Sequence, residues 1–186
     1  MQKRRINLQF CGFGGQGLVL SATVFGTAAV YAGLNGVQTQ SYGSEARGGE
    51  CQAELILSQE AINSPLADTV DILIAMSQPA LDRYLGRLNP DGILIIDPTF
   101  VLAPPRDDIR VLEVPVTKIA AEEIGQQITA NMLMLGFLRQ ATGVFPEEAL
   151  LKAIRQSVPG RFLEANLNAA KRGKSLAVER NVSLEV

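Results

Sequence analysis

Two short runs constrain the fold more than anything else in the chain: "DILIAM" from Asp71 to Met76 and "GILIID" from Gly92 to Asp97. Both are almost continuously apolar and bounded by turn signals, Pro79 after the first and "NPDG" before the second. A strand that is apolar on both faces must be covered on both, as the central strands of parallel sheets are. The chain must therefore lay helices or loops on either side of a sheet.

The remaining segments fit that requirement. Ile6 to Phe13 reads as a short apolar strand ending in glycines, and Gln16 to Ala32 as a helix rich in Ala, Val and Leu, closed near Gly33. Few charges interrupt that helix, which predicts burial on more than one side. Gly36 to Tyr42 and Cys51 to Ser58 are further strand candidates, the second carrying Ala53, Leu55 and Leu57 on one face. Pro79 opens a helix with Leu81, Leu85 and Leu88 at helical spacing, and Ile109 to Val114 gives a shorter strand. Helical patterns follow over Lys118 to Ile124, Thr129 to Thr142, Pro146 to Gln156 and Phe162 to Arg172. Strand–helix alternation over the first two-thirds predicts an α/β fold, a three-layer α/β/α arrangement around a mostly parallel, doubly wound (Rossmann-like) sheet with extra C-terminal helices. The expected organisation is one domain over residues 1–174 and a tail, "SLAVERNVSLEV", over 175–186.

Composition narrows the chemistry. The 186 residues are 47% hydrophobic and 19% charged, with net charge −2, enough chain for a real core and no basic field for nucleic acid. Histidine is absent, which removes the commonest general base, every His-dependent nucleophile and every imidazole metal ligand. The two cysteines, Cys11 and Cys51, lie far apart in apolar runs, read as buried structural thiols, and cannot supply an iron–sulfur cluster or a structural zinc site. The basic start "MQKRR" leads into an apolar run too short for a targeting peptide, and no stretch reaches the ~18 apolar residues of a membrane span. The expected location is cytoplasmic. The acidic pairs Asp107-Asp108 and Glu122-Glu123 read as solvated surface, and Met132 and Met134 as filling.

Two glycine-rich stretches carry the functional reading. "CGFGGQG" sits between a strand and a helix, where backbone N–H groups and a helix start can receive an anion, or where glycines merely let strand and helix pack closely. A phosphate-binding loop would need a lysine after the glycines, and none follows. The glycines at 12, 14 and 17 match G-x-G-x-x-G. However, the second strand candidate, "GVQTQSY", lacks the carboxylate that a dinucleotide's ribose requires, so a nicotinamide cofactor fits poorly. "SYGSEARGGE", from Ser41 to Glu50, joins two strands. It is either a solvated hairpin loop or a ligand- or subunit-facing one, in which Arg47 offers a fork beside bare backbone. The candidate binding residues are Gly14, Gly15, Gln16 and Gly17 from the first stretch and Arg47, Gly48 and Gly49 from the second, with no catalytic and no metal-binding residue. Asn131 and Asn166, in apolar helical patterns, read as amides bonding a neighbouring loop.

Together, "GFGGQG" and "QTQSYGSEARGG" make the chain resemble the gamma subunit, or gamma domain, of the 2-oxoacid:ferredoxin oxidoreductases, the pyruvate and 2-oxoglutarate ferredoxin oxidoreductases. "NPDGILIIDPT", "NMLMLGFLRQATG" and "FLEANLNAAKRG" extend the similarity from about Ile6 to Gly173, and the second loop looks closer to the 2-oxoglutarate type. The resemblance implies oxidative decarboxylation of a 2-oxoacid to an acyl-CoA and CO2, with electrons passed to ferredoxin. It further implies that thiamine diphosphate and 4Fe–4S clusters sit on partner subunits, and that coenzyme A is a co-substrate. This chain would be inactive alone, completing the assembly and lining the coenzyme A side of the active site, with a homo-oligomer possible when isolated. An indolepyruvate-type subunit, a stand-alone anion- or nucleotide-binding module, and a purely structural assembly protein are the alternatives.

Overall fold

The computed structural model describes residues 5–42 and 49–184. Six strands form one sheet in the order β2-β3-β1-β4-β5-β6: β1 (Arg5–Phe13), β2 (Asn35–Tyr42), β3 (Glu50–Ser58), β4 (Val70–Ala75), β5 (Leu88–Ile96) and β6 (Arg110–Glu113). β1, β4, β5 and β6 are mutually parallel, and β3 runs antiparallel to both β1 and β2. The crossover from β1 passes through α1 (Leu18–Tyr31) to β2, and the β2–β3 hairpin then brings the chain back between them. The result is the mostly parallel α/β/α architecture that the alternation predicts.

The two apolar runs are the central strands β4 and β5, and their side chains divide between the faces as the pleat demands. Ile72, Ile74, Ile93 and Ile95 pack into the larger core, beneath α1, α4 (Ala130–Thr142), α5 (Glu147–Ser157) and α6 (Gly160–Glu179). Leu73, Ala75, Leu94 and Ile96 face a smaller one with Ala80 and Leu81 of α2 (Gln78–Tyr84) and Val101 of the following loop. Full burial of each such leucine or isoleucine contributes about 1.5–3 kcal/mol. Towards β3, the second face is closed by polar groups. Gln9, wholly buried, donates to Gln52 Oε1, and Arg87 binds Glu54 and the Ala67 and Asp68 carbonyls.

Several boundaries depart from the sequence expectation. "NPDG" is no plain turn: β5 starts at Leu88 and its pairing with β4 shifts register between Val70 and Ile72, with Asp91 at φ 61°. Asp91 N–H donates to Asp108 O at 2.8 Å, so the bulge is tied to the loop ahead of β6. The helix expected over Lys118 to Ile124 is α3 (Val116–Ile119) continued by a π turn, Ala120–Ile124. α6 continues past residue 174 to Glu179, with Leu176 and Ala177 buried. Beyond it, buried Leu184 donates its N–H to Ala141 O at 2.8 Å. As its few charges predict, α1 is buried on more than one side, against the sheet and against α5, while Thr23, Val30 and Tyr31 stay exposed. No helix among the described residues is long and apolar enough to cross a membrane.

Candidate functional site

The glycine turn stands at the carboxyl end of β1, beside the ends of β4 and β5, where open α/β sheets present ligands. Its shape is set by Gln16. That side chain folds back over the turn: Oε1 accepts the Phe13 N–H at 2.7 Å and Nε2 donates to Met76 O at 2.8 Å, joining β1 to the end of β4. A β-carbon on Gly12 would lie 2.3 Å from Gln16 Oε1, so Gly12 is bare to let the amide pass. Gly17 is the N-cap of α1 at φ 74°, with Asn131 Nδ2 where its β-carbon would stand.

Gly14 N–H donates to Gly49 O at 2.9 Å, which brings the two glycine stretches into direct contact. The Ser21 N–H closes the first helical turn onto Gly17 O at 2.8 Å. Among the described residues, no acceptor meets the N–H groups of Gly15, Gly17, Leu18 or Val19, the donor set a helix start offers an anion. The turn thus uses Gly14 and Gln16 internally and leaves Gly15 and Gly17 outward.

Two cavities flank it. One of about 500 Å³ is lined by Phe13, Gln16, Met76, Phe100, Thr117 and Ile128, an apolar basin with few polar groups. Phe13, Phe100 and Ile128 on its rim are exposed. Its far wall is fixed by Asp97, whose Oδ1 accepts Thr99 N–H at 3.0 Å and whose Oδ2 accepts Thr117 N–H at 2.9 Å. The second cavity, about 180 Å³, lies behind the turn against Gly15, Gly17, Asn131, Phe162 and Asn166. Asn131 Nδ2 reaches Gly17 O at 3.4 Å, the loop contact its sequence position suggests, whereas Asn166 bonds Phe162 O of its own helix at 2.8 Å.

Of the residues singled out from sequence, Gly14, Gly15, Gln16, Gly17 and Gly49 meet at this point; Arg47 and Gly48 lie outside the described residues. The sequence reading missed the basin's lining, contributed by the carboxyl end of β1 and the segments that follow β4, β5 and β6. Asp97, a carboxylate ending an apolar strand, was the one signal for it. Cys11 and Cys51 are buried on opposite faces of the sheet, and burial pushes both thiols up. Two thiols so separated cannot hold an iron–sulfur cluster, and no metal-binding group of His, Cys, Asp or Glu occurs among the described residues.

A glycine turn at a helix start, tied to a second glycine stretch above an apolar basin on a mixed Rossmann-like sheet, defines an α/β domain with a candidate ligand-facing turn. The chain belongs to the pyruvate ferredoxin/flavodoxin oxidoreductase family, which it matches over residues 7–176. It is 43% identical over 182 residues to the 2-oxoglutarate synthase subunit KorC of Methanothermobacter marburgensis, covering 94% of this chain and 98% of that one. The keto/oxoacid ferredoxin oxidoreductase gamma subunit of Geobacter sulfurreducens superposes with a TM-score of 0.82 at 35% identity, covering 94% of this chain and 99% of that one. The 2-oxoglutarate:ferredoxin oxidoreductase of Magnetococcus marinus, solved with 2-oxoglutarate, coenzyme A and succinyl-CoA bound, shares the fold. There the TM-score is 0.87 at 22% identity, over 100% of this chain and 32% of that longer one.

Proposed function

We propose that this chain is the gamma subunit of a 2-oxoglutarate:ferredoxin oxidoreductase and forms the coenzyme A side of its active site. The observation that carries the reading is 43% identity, over nearly the whole of both chains, to a 2-oxoglutarate synthase subunit. Thiamine diphosphate and the clusters belong to partner subunits, in keeping with a chain whose two cysteines are buried on opposite faces of its sheet. Coenzyme A is a substrate with phosphates at one end and a thiol at the other. The outward N–H groups of Gly15 and Gly17 at the start of α1 offer donors to an anionic group. Gly49, whose carbonyl holds Gly14, follows Arg47 and Gly48 in the sequence, and Arg47 is the guanidinium this reading assigns to the same anionic ligand. The apolar basin suits the uncharged arm between phosphates and thiol. No residue of this chain transfers a proton in this reading; it binds and orients.

The test is reconstitution of the complex with its partner subunits and measurement of 2-oxoglutarate-dependent dye reduction against coenzyme A concentration. Arg47→Ala is expected to raise the coenzyme A KM about tenfold or more, the loss of one charge-assisted contact, and to leave the oxoacid KM unchanged. Unchanged coenzyme A affinity and turnover in both Arg47→Ala and Ile128→Arg complexes would remove the coenzyme A assignment. Assembly without any 2-oxoglutarate activity, alongside activity on another 2-oxoacid, would replace the substrate.

A further inference from the structure

Between Arg5 and Glu45 the chain contains no charged residue, in a protein with 17 basic and 19 acidic side chains. Much of that stretch is interior, but its outer part is not. β2 is the sheet's edge among the described residues, paired with β3 from Asn35 to Tyr42 without a break in register. Beside it on the helical face lie Thr23, whose hydroxyl donates to Gln38 Oε1 at 3.1 Å, and Val30, whose Cγ2 approaches Gly36. Val30 is 53% exposed.

A long, regular edge strand presents a row of unpaired N–H and C=O groups, and proteins ordinarily guard it with charge, proline, a bulge or a cover. Among the described residues β2 has none of these. The opposite edge of the same sheet has several: β6 is short, begins with Arg110 and ends with Glu113, and is strapped by the chain's C-terminal segment. There Arg110 donates to Ser183 O at 2.9 Å and Arg180 to Glu113 O at 2.7 Å. One edge is closed against pairing and the other left open to it.

We propose that β2 is the seam of a homodimer, in which β2 of a second copy pairs with it antiparallel and joins the two sheets. A two-fold axis perpendicular to the sheet brings a strand against its own copy antiparallel and keeps each face continuous, so that α1 lies beside its mate. Directly paired residues share a face, so the axis passes midway between a residue and its own copy, and Gln38 or Thr39 is that residue. Any charge at the axis would meet itself, which is the physical reason for a self-pairing edge to exclude charge. An edge built for a different subunit has no such restriction, since a lysine there can be answered by a glutamate. The exposed Val30 and Thr23 of the two α1 helices then cover each other along the seam.

Sedimentation equilibrium of the full chain over a wide concentration range tests this. A reversible monomer–dimer equilibrium is expected, and the Gln38→Lys/Thr39→Lys double variant should raise its dissociation constant at least about tenfold by setting like charges opposite one another, with far-UV circular dichroism and melting unchanged. Since Cys11 and Cys51 are buried, Gln38→Cys or Thr39→Cys supplies the accessible thiol, and one of the two should form an inter-chain disulfide under mild oxidation. A monomer at every concentration, or a dimer that neither the lysines weaken nor the cysteines cross-link, overturns the proposal. A monomer whose double-lysine variant fails to join the other subunits also overturns it, and assigns the edge to a partner subunit's strand.

Discussion

Asn131 occupies, over Gly17, the place of a β-carbon: its Nδ2 stands 2.3 Å from that point and 3.4 Å from the Gly17 carbonyl oxygen. A residue of α4 thereby fixes the start of α1 and the direction of the outward N–H groups. Gly17→Ala incurs both the positive-φ penalty of about 1–2 kcal/mol and a collision with the amide. A loss of about 2–3 kcal/mol in urea unfolding is expected. Asn131→Ala alone loses a weak bond and leaves a small void. In the double variant the collision is gone and only the φ penalty remains, so the two losses add to less than their sum. Strict additivity would show that Asn131 does not support the turn.

α4 and α6 touch through a reciprocal pair of glycines. A β-carbon on Gly136 would lie 1.9 Å from Ala170 O, and one on Gly173 would lie 1.9 Å from Leu133 O. Backbone cannot yield as a side-chain tip can, so either alanine forces the helices apart. Gly136→Ala and Gly173→Ala should each cost about 3 kcal/mol or more, read by thermal or urea unfolding, although both raise intrinsic helix propensity. A stabilised variant would show that the two helices are not held at this separation.

The strands were legible because their signal is local. Ile72 to Ile74 and Ile93 to Ile95 are apolar whichever way they face, and that alone demands two covered faces. The glycine turn was legible as a bare backbone between strand and helix, but its internal bonding was not. Gln16 looked like a spare amide for a ligand, whereas the structure uses it to join Phe13 to Met76, a partner sixty residues distant in sequence. The basin was hidden for the same reason: Phe13 ends β1, Phe100 follows β5, Thr117 lies in α3 and Ile128 just ahead of α4, and only the fold brings these four segments together. The helical continuation past residue 174 was missed because alternating small, polar and apolar residues there resemble a tail until Leu176 finds its core.

The thiols provide a probe of integrity. Cys11 is wholly buried among Leu73, Ala75 and Leu94 on one side of the sheet, and Cys51 is buried on the other. Burial raises both above the ordinary thiol range, which suppresses the reactive thiolate. Neither is expected to react with a thiol reagent in the folded chain, and both should react at the rate of unfolding. Rapid labelling of either without loss of structure would place that strand at a solvated surface.

Tyr84 gives the fold a pH limit on the alkaline side. Partial burial at the end of α2, followed by the neighbouring Glu50 carboxylate, pushes its hydroxyl up to about 12, against about 10 in an unfolded chain. The proton is therefore held more tightly in the folded state. The associated stability is fully present below about pH 10 and is lost as pH rises towards 12. Wild-type unfolding free energy should decline across that interval more steeply than that of Tyr84→Phe, which has no phenolic proton to lose at this position. In a spectrophotometric titration, the variant should lack a phenol ionising at about pH 12. Parallel stability curves for the two proteins between pH 10 and 12 would mean that Tyr84 is as well solvated folded as unfolded, and that the contact between α2 and the start of β3 is open in solution.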